Sequence, residues 1–223
     1  EGLFETTCYV PWPWLQTRRL SSKTMVEQRI QQHFIDSADL KYQSAQTLGK
    51  PVEAAVHALL ACVTSGGKVM ACGIGPSATL AQHFSALFVG RFERDRPELA
   101  AITLTVDGAM LSTAARGDES APVFARQVRA IGHAGDVLLV ISITGQEACL
   151  LRAIDAAHER DMTVLALTGH GGGLVGQALR ETDVQICVPN ERMARIHEVQ
   201  TLVLHCLCDG VDTQLLGEQE ISP

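Results

Sequence analysis

The chain has 223 residues and a formal net charge of −7, with 46% hydrophobic residues and 19 glycines. This length and composition are typical of one globular α/β domain with a sizeable core. The acidic charge argues against direct nucleic-acid binding, which normally needs a basic face, and no apolar run approaches the ~18 residues of a membrane span. Seven scattered cysteines suit reduced thiols, so we expect a cytoplasmic protein.

The two ends of the chain differ from its middle. Residues 1–24 contain both tryptophans, Trp12 and Trp14, and show no periodicity. We interpret them as an irregular, poorly ordered N-terminal extension; the alternative is an aromatic arm that docks on a partner. The predicted domain covers 25–217, and a polar tail follows over 218–223.

Two helices are predicted before the first strand. Apolar residues recur at helical spacing from Met25 to about Leu48, where Gly49 and Pro51 are typical of a helix end and a new start. The second helix is predicted to end at Gly66. The sequence therefore predicts a helical hairpin, which often supplies an oligomer interface.

Strands and helices alternate in the rest of the domain. Strands are predicted at 68–72, 101–106, 137–142, 163–168 and 184–188. Helices are predicted at 77–90, 121–131, 146–159, 174–180 and 192–215, with a helix or turn at 109–116. Strands rich in Val, Ile and Leu between helices indicate a doubly wound, five-stranded parallel sheet covered on both faces, with a long C-terminal helix.

Ligands of such sheets bind beyond the carboxyl ends of the strands. The loops expected there are 73–77, 107–118, 142–147 and 169–173. The start of the last helix would add Arg195, His197 and Glu198. The alternative for Arg195 and Glu198 is a solvated helix start, in which the glutamate offsets the helix dipole.

Two of these loops have the form of anion sites. In each, a short buried strand ends in glycine or hydroxyl residues before a helix, whose free N–H groups can face a phosphate. Both carry a change that disfavours this ligand, because Pro76 lacks an N–H and Glu147 introduces a carboxylate. The candidate phosphosugar-binding residues are Gly75, Ser77, Ser142 and Thr144.

Three blocks of the sequence resemble a known family. The segments CGIGPSATLAQHF, QVRAIGHAGDVLLVIS and ARIHEVQTLVLHCLCD resemble the SIS (sugar isomerase) domain family, in the branch of phosphoheptose isomerase and the DnaA initiator-associating protein. The resemblance implies a flavodoxin-like fold, a homotetramer and a phosphosugar ligand. In the isomerases it implies an enediol-type conversion of sedoheptulose 7-phosphate to a heptose 7-phosphate.

The resemblance also implies roles for individual positions. The catalytic His of the family is retained as His205, whereas its catalytic and metal-binding Glu falls on Leu87. The sugar-contacting Asn-Asp pair falls on Arg116 and Gly117. The last serine of the phosphate loop falls on Glu147. A chain with these changes has lost the base that the family uses.

A zinc site is a further hypothesis. The positions of His83, His197 and His205 all belong to the metal site of the family, and three neutral imidazoles can hold zinc. Against this, eight residues on one helix separate His197 from His205 by ~12 Å of rise and ~80° of rotation. The alternative is one core-facing, one exposed and one backbone-bonded histidine.

These features favour a non-catalytic regulator that resembles the DnaA initiator-associating protein and binds DnaA, touching DNA only through it. Leu215 and Leu216 are its candidate partner contact, unless they pack onto the core. The alternative is a phosphoheptose isomerase with a rearranged base, Glu198 or His205. A third hypothesis is a sensor that binds a sugar phosphate through Ser77, Ser142 and Thr144.

Overall fold

The computed structural model describes residues 23–105 and 123–217. Contacts divide the chain into two units, Glu1–Asp36 and Ser37–Pro223. The predicted helix or turn at 109–116, the tail 218–223 and nearly all of the predicted extension lie outside the described residues. In the first unit, residues 23–36 form a helical segment whose apolar side chains are exposed, including Phe34 at 75%.

The first helix, α1, runs from Lys23 to Thr64 without a break, so the predicted helical hairpin is wrong. Pro51 lies inside this helix and removes one backbone hydrogen bond, at a typical cost of about 3 kcal/mol. Burial of apolar side chains before and after the proline offsets that cost, because both turns pack on the same core. The largest of these buried side chains are Leu40, Leu48 and Leu59.

The sheet confirms the predicted doubly wound fold. Five parallel strands lie in the order β2-β1-β3-β4-β5. Their bounds are β1 Val69–Gly73, β2 Ala101–Thr103, β3 Val137–Ile141, β4 Thr163–Thr168 and β5 Val184–Cys187. These bounds agree with the predicted strands to within a few residues. Buried apolar runs are a strong signal for the central strands β1, β3 and β4, whereas the edge strands β2 and β5 are partly exposed.

The helices between the strands also follow the prediction. They are α2 Pro76–Val89, α3 Val123–Ile131, α4 Ala148–His158, α5 Gly173–Gln177 and the closing helix α6 Met193–Leu216, with a 3₁₀ turn at His170–Gly172. One buried cluster joins the sheet to the second-unit part of α1, to α2 and to α6. A second cluster joins the opposite face to α3, α4 and α5. Within the described ranges, no helix is long and apolar enough to cross a membrane.

The strand order identifies where a ligand can enter. Strand β1 has β2 on one side and β3 on the other, so the connections after β1 and after β3 leave the sheet in opposite directions. The register pairs Gly73, the last residue of β1, with Ile141, the last residue of β3. The loops that follow these two strands therefore start side by side at the carboxyl edge.

Candidate active site

The loop after β1 is a tight turn built on glycine. A Cβ atom on Gly73 would lie 2.6 Å from the carbonyl oxygen of Ser77, and Gly75 has a φ of +57°. The amides of Ser77 and Ala78 donate to carbonyl groups of the same turn, at 3.1 and 3.0 Å. Pro76, which has no amide hydrogen, begins α2. The backbone donors at this helix start are therefore largely used within the turn.

The loop after β3 binds a carboxylate of its own. The hydroxyl of Ser142 donates to Glu147 Oε2 at 2.6 Å, and that of Thr144 donates to Glu147 Oε1 at 2.9 Å. The amide of Gly145 donates to Ser142 Oγ at 2.7 Å. Glu147 is the residue immediately before α4, where the helix dipole favours negative charge. Two predicted phosphate ligands thus contact a side chain of the chain itself.

Glycines of the neighbouring loop support this arrangement. Gly171, Gly172 and Gly173 all have positive φ angles, as a tight strand-to-helix turn requires. A Cβ on Gly145 would collide with the Gly172 carbonyl, and one on Gly173 would collide with the Thr144 carbonyl. The glycine run predicted to permit a turn therefore also lets two loops pack backbone to backbone.

Gln200 supports the candidate site from beneath and is not among the positions predicted from the sequence. It lies fully buried on α6, and its amide nitrogen donates to the carbonyl oxygens of Ser142 and Leu167, at 2.8 and 3.2 Å. It therefore joins the ends of β3 and β4 beneath the Ser142 loop. An amide in an otherwise apolar stripe of a buried helix is the signal that could have revealed it.

A cavity of about 590 Å³ opens beside the two loops. Gly73, Gly75 and Glu147 form part of its wall, and Gln82 and Thr103 add polar groups. The remaining wall is mostly apolar: Ile74, Ala78, Leu104, Val123 and Phe124. Concave, mainly apolar space with a few convergent polar groups is the usual form of a small-molecule site.

Two of the predicted histidines form a pair where α2 meets α6. The Nε2 atoms of His83 and His205 lie 3.0 Å apart, and the rings meet edge to face with centroids separated by 5.3 Å. His83 directly follows the cavity residue Gln82 on α2. Burial and the neighbouring His83 lower the pKa of His205, while Glu93 opposes this shift. His205 is therefore held in its neutral form, which can accept a proton.

The third histidine lies elsewhere. His197 Nε2 is 3.3 Å from the carbonyl oxygen of Pro76, in the turn after β1. In the part of the chain that the structure describes, no three His, Cys, Asp or Glu side chains are grouped so as to hold a metal ion. The residues present thus bring two zinc ligands together and do not fit a three-histidine site as they stand; zinc binding stays a prediction.

The remaining predicted positions are divided between core and surface. Leu87 packs against the core on α2, so no carboxylate approaches the histidine pair from that position. Arg195 and Glu198 form an ion pair at 2.5 Å, and Arg195 is only 7% exposed, so the alternative of a solvated helix start is wrong for this arginine. Leu215 and Leu216 are 37% and 40% exposed at the end of α6, and their role as a partner contact stays a prediction.

Comparison with known proteins bears on the ligand. The model of the SIS domain family matches residues 32–169. A phosphoheptose isomerase of Methylibium petroleiphilum is 58% identical over 198 residues, covering 89% of this chain and 99% of that protein. One from Azoarcus is 50% identical over 192 residues, covering 86% of this chain and 98% of that protein.

Solved structures of phosphoheptose isomerases are also similar to this chain. The phosphoheptose isomerase of Neisseria gonorrhoeae superposes with a TM-score of 0.79 at 42% identity, covering 84% of this chain and 99% of that chain. A phosphoheptose isomerase of Francisella tularensis gives 0.80 at 37% identity, covering 84% and 98%. These names favour the isomerase alternative over the non-catalytic regulator that the sequence favoured. The chain belongs to the SIS domain family, in the branch of the phosphoheptose isomerases.

Proposed function

We propose that this protein is an aldose–ketose phosphosugar isomerase that converts sedoheptulose 7-phosphate to a heptose 7-phosphate. The names of its relatives supply the substrate class. The observation that carries the proposal is the 3.0 Å contact between the Nε2 atoms of His83 and His205. This contact requires one ring to present a proton and the other a lone pair.

A histidine pair of this kind can supply both functions that the reaction needs. Isomerisation through an enediol requires a base that removes the proton next to the carbonyl and an acid that stabilises the developing oxyanion. A substrate that enters between the rings meets an acceptor on one and a donor on the other. His205, whose pKa is lowered by burial and by His83, is the candidate base.

The phosphate and the sugar need separate contacts. Ser142 and Thr144 are the candidate hydroxyl donors to the phosphate, with Ser77 and Gly75 across the same edge of the sheet. The cavity of about 590 Å³ beside them has a volume suited to a small molecule, and Gln82 and Thr103 are its candidate polar contacts to the sugar.

A second candidate is a non-catalytic regulator that binds a protein partner such as DnaA, and two observations favour it. Leu87 is apolar where the family has its catalytic glutamate, and Glu147 already holds Ser142 and Thr144. In this case Leu215 and Leu216 are the candidate contact, since both are exposed.

One experiment separates the two candidates. The full chain is incubated with sedoheptulose 7-phosphate in D₂O, and NMR follows both product formation and deuterium uptake next to the carbonyl. We expect slow conversion with deuterium uptake, and loss of both in His205→Asn. If neither reaction occurs at millimolar substrate, with or without Zn²⁺, the isomerase is rejected and the regulator is favoured.

We also propose a homotetramer, as the resemblance implies. Exposed apolar side chains on α1 support an assembly: Val26, Ile30 and Phe34 recur every four residues and are 44%, 52% and 75% exposed. Light scattering on the purified chain measures the assembly directly, and a monomer at micromolar concentration would reject it.

A further inference from the structure

We propose that Glu147 is a built-in anion that occupies the phosphate position of this site and sets its affinity for phosphate. The inference rests on the proposed function, in that it takes loop 142–147 as the phosphate-binding loop. It concerns a residue of this chain that departs from the family pattern. We therefore expect that binding of the phosphate group, rather than binding of the sugar, limits the affinity of this site for its substrate.

Both oxygens of the Glu147 carboxylate are hydrogen-bonded within the loop. Each oxygen of Glu147 accepts one hydroxyl hydrogen bond, from Ser142 at 2.6 Å and from Thr144 at 2.9 Å. Ser142 is 1% exposed, so its hydroxyl has no access to bulk water as an alternative partner. Hydrogen bonds to a charged acceptor are roughly twice as strong as those between neutral groups. The carboxylate therefore satisfies the loop as a bound anion would.

The loop 142–147 is arranged around the Glu147 carboxylate. The amide of Gly145 donates to Ser142 Oγ, which directs the hydroxyl proton of Ser142 toward Glu147. The carboxylate lies at the start of α4, an 11-residue helix whose dipole favours a negative charge there. The backbone packing of Gly172 and Gly173 against the loop fixes its shape. An anion site is thus present, and the chain supplies the anion.

Glu147 and a bound phosphate would compete for the same two hydroxyl groups. A hydroxyl carries one proton, so Ser142 and Thr144 can donate to a phosphate only after Glu147 has moved away. A site that is competent only in a fraction of molecules binds with an affinity reduced by that fraction. A displaced carboxylate still borders the cavity, where it repels a phosphate dianion. Together these effects predict at least a tenfold weaker affinity for phosphate than the same loop without the carboxylate.

The test compares four full-length proteins: wild type, Glu147→Ser, Glu147→Gln and Glu53→Ser. The last removes one acidic charge from an exposed position on α1 and is the matched control. Inorganic phosphate is the probe, and isothermal titration calorimetry measures its dissociation constant. We expect E147S to bind phosphate at least tenfold more tightly than wild type, E147Q to show a smaller gain, and E53S to show none.

Three results would overturn the inference. They are an unchanged dissociation constant in folded E147S and E147Q, an equal gain in E53S, or a gain that persists when Ser142→Ala is added to E147S. The isomerase assay on the same proteins keeps this inference apart from the proposed function. Tighter phosphate binding without turnover rejects the isomerase alone, whereas turnover in wild type with no change in phosphate affinity rejects the role of Glu147 alone.

Discussion

Arg96 and Asp212 form an ion pair at 2.5 Å in which each side chain is only 1% exposed. The same guanidinium donates to the carbonyl oxygens of Phe88 and Leu87, at 2.8 and 3.0 Å, so it also closes the last turn of α2. Because Asp212 lies on α6, this one arginine joins the two helices that carry His83 and His205.

We predict that Arg96→Ala lowers the free energy of unfolding by about 3–5 kcal/mol, because it leaves a buried carboxylate without its partner. Arg91→Ala is the matched control from the same loop. Arg91 pairs with Asp95 at the surface, where both side chains are mostly exposed, and such pairs contribute about 0–1 kcal/mol. Urea denaturation of both variants measures the difference. Equal losses would mean that the buried pair contributes no more than a surface pair.

A pair of glycine substitutions tests the packing of the two loops. Gly145 and Gly171 share a φ of +69°, but a Cβ on Gly145 meets the Gly172 carbonyl whereas one on Gly171 has nothing within 4 Å. Gly171→Ala should therefore cost only the left-handed backbone strain, about 1–2 kcal/mol. Gly145→Ala should cost clearly more and weaken phosphate binding. Thermal unfolding with calorimetry checks this; equal costs would contradict the backbone contact between the loops.

The pH dependence of stability depends in part on Asp136. Burial alone would raise its pKa, but hydrogen bonds from the Lys68 side chain, from the Lys68 backbone and from the His133 backbone lower it overall. A lowered pKa in the folded state stabilises the protein above the unfolded value of about 3.9, and this contribution is lost as the pH falls through the folded value.

We therefore predict that Asp136→Asn destabilises the protein by about 1–3 kcal/mol at pH 7, since it removes an acceptor from buried backbone donors. The difference between wild type and variant should shrink as the pH falls below about 4. Denaturant unfolding of wild type and variant from pH 7 down to acid conditions measures the destabilisation and its dependence on pH. A difference that stays constant down to acid pH would show that the charge of Asp136 plays no part.

His205 gives a kinetic prediction. Replacing a general base typically costs a factor of ~10²–10⁴ in rate, so His205→Asn should lower kcat by that order with little effect on unfolding. Because the pKa of His205 is lowered, the acid limb of kcat/KM should lie below the ordinary histidine value of about 6.5. Glu93 opposes the shift, so Glu93→Gln should move this limb to still lower pH. If the acid side of the kcat/KM profile does not shift in Glu93→Gln, the group that titrates there is not His205.

The sheet could be predicted from the sequence because its signals are local. Nearly continuous buried apolar runs mark the three central strands, and the helical patterns on either side mark the two edge strands. The hairpin could not be predicted correctly, since Gly49 and Pro51 are local signals of a helix end whose effect tertiary packing overrides. The carboxylate of Glu147 was expected to repel phosphate, but its two hydroxyl contacts depend on the loop geometry. Gln200 and Arg96 act across elements far apart in the sequence, which no local pattern encodes.

The closing helix carries both Gln200, which holds the carbonyl of Ser142, and His205, which meets His83. They lie five residues apart on the same helix, which corresponds to a rise of about 7.5 Å along its axis. Any shift of α6 along its axis therefore displaces the loop 142–147 and the His83–His205 pair at the same time. Mutations on the outer surface of this helix, remote from any ligand, should therefore change KM and kcat together.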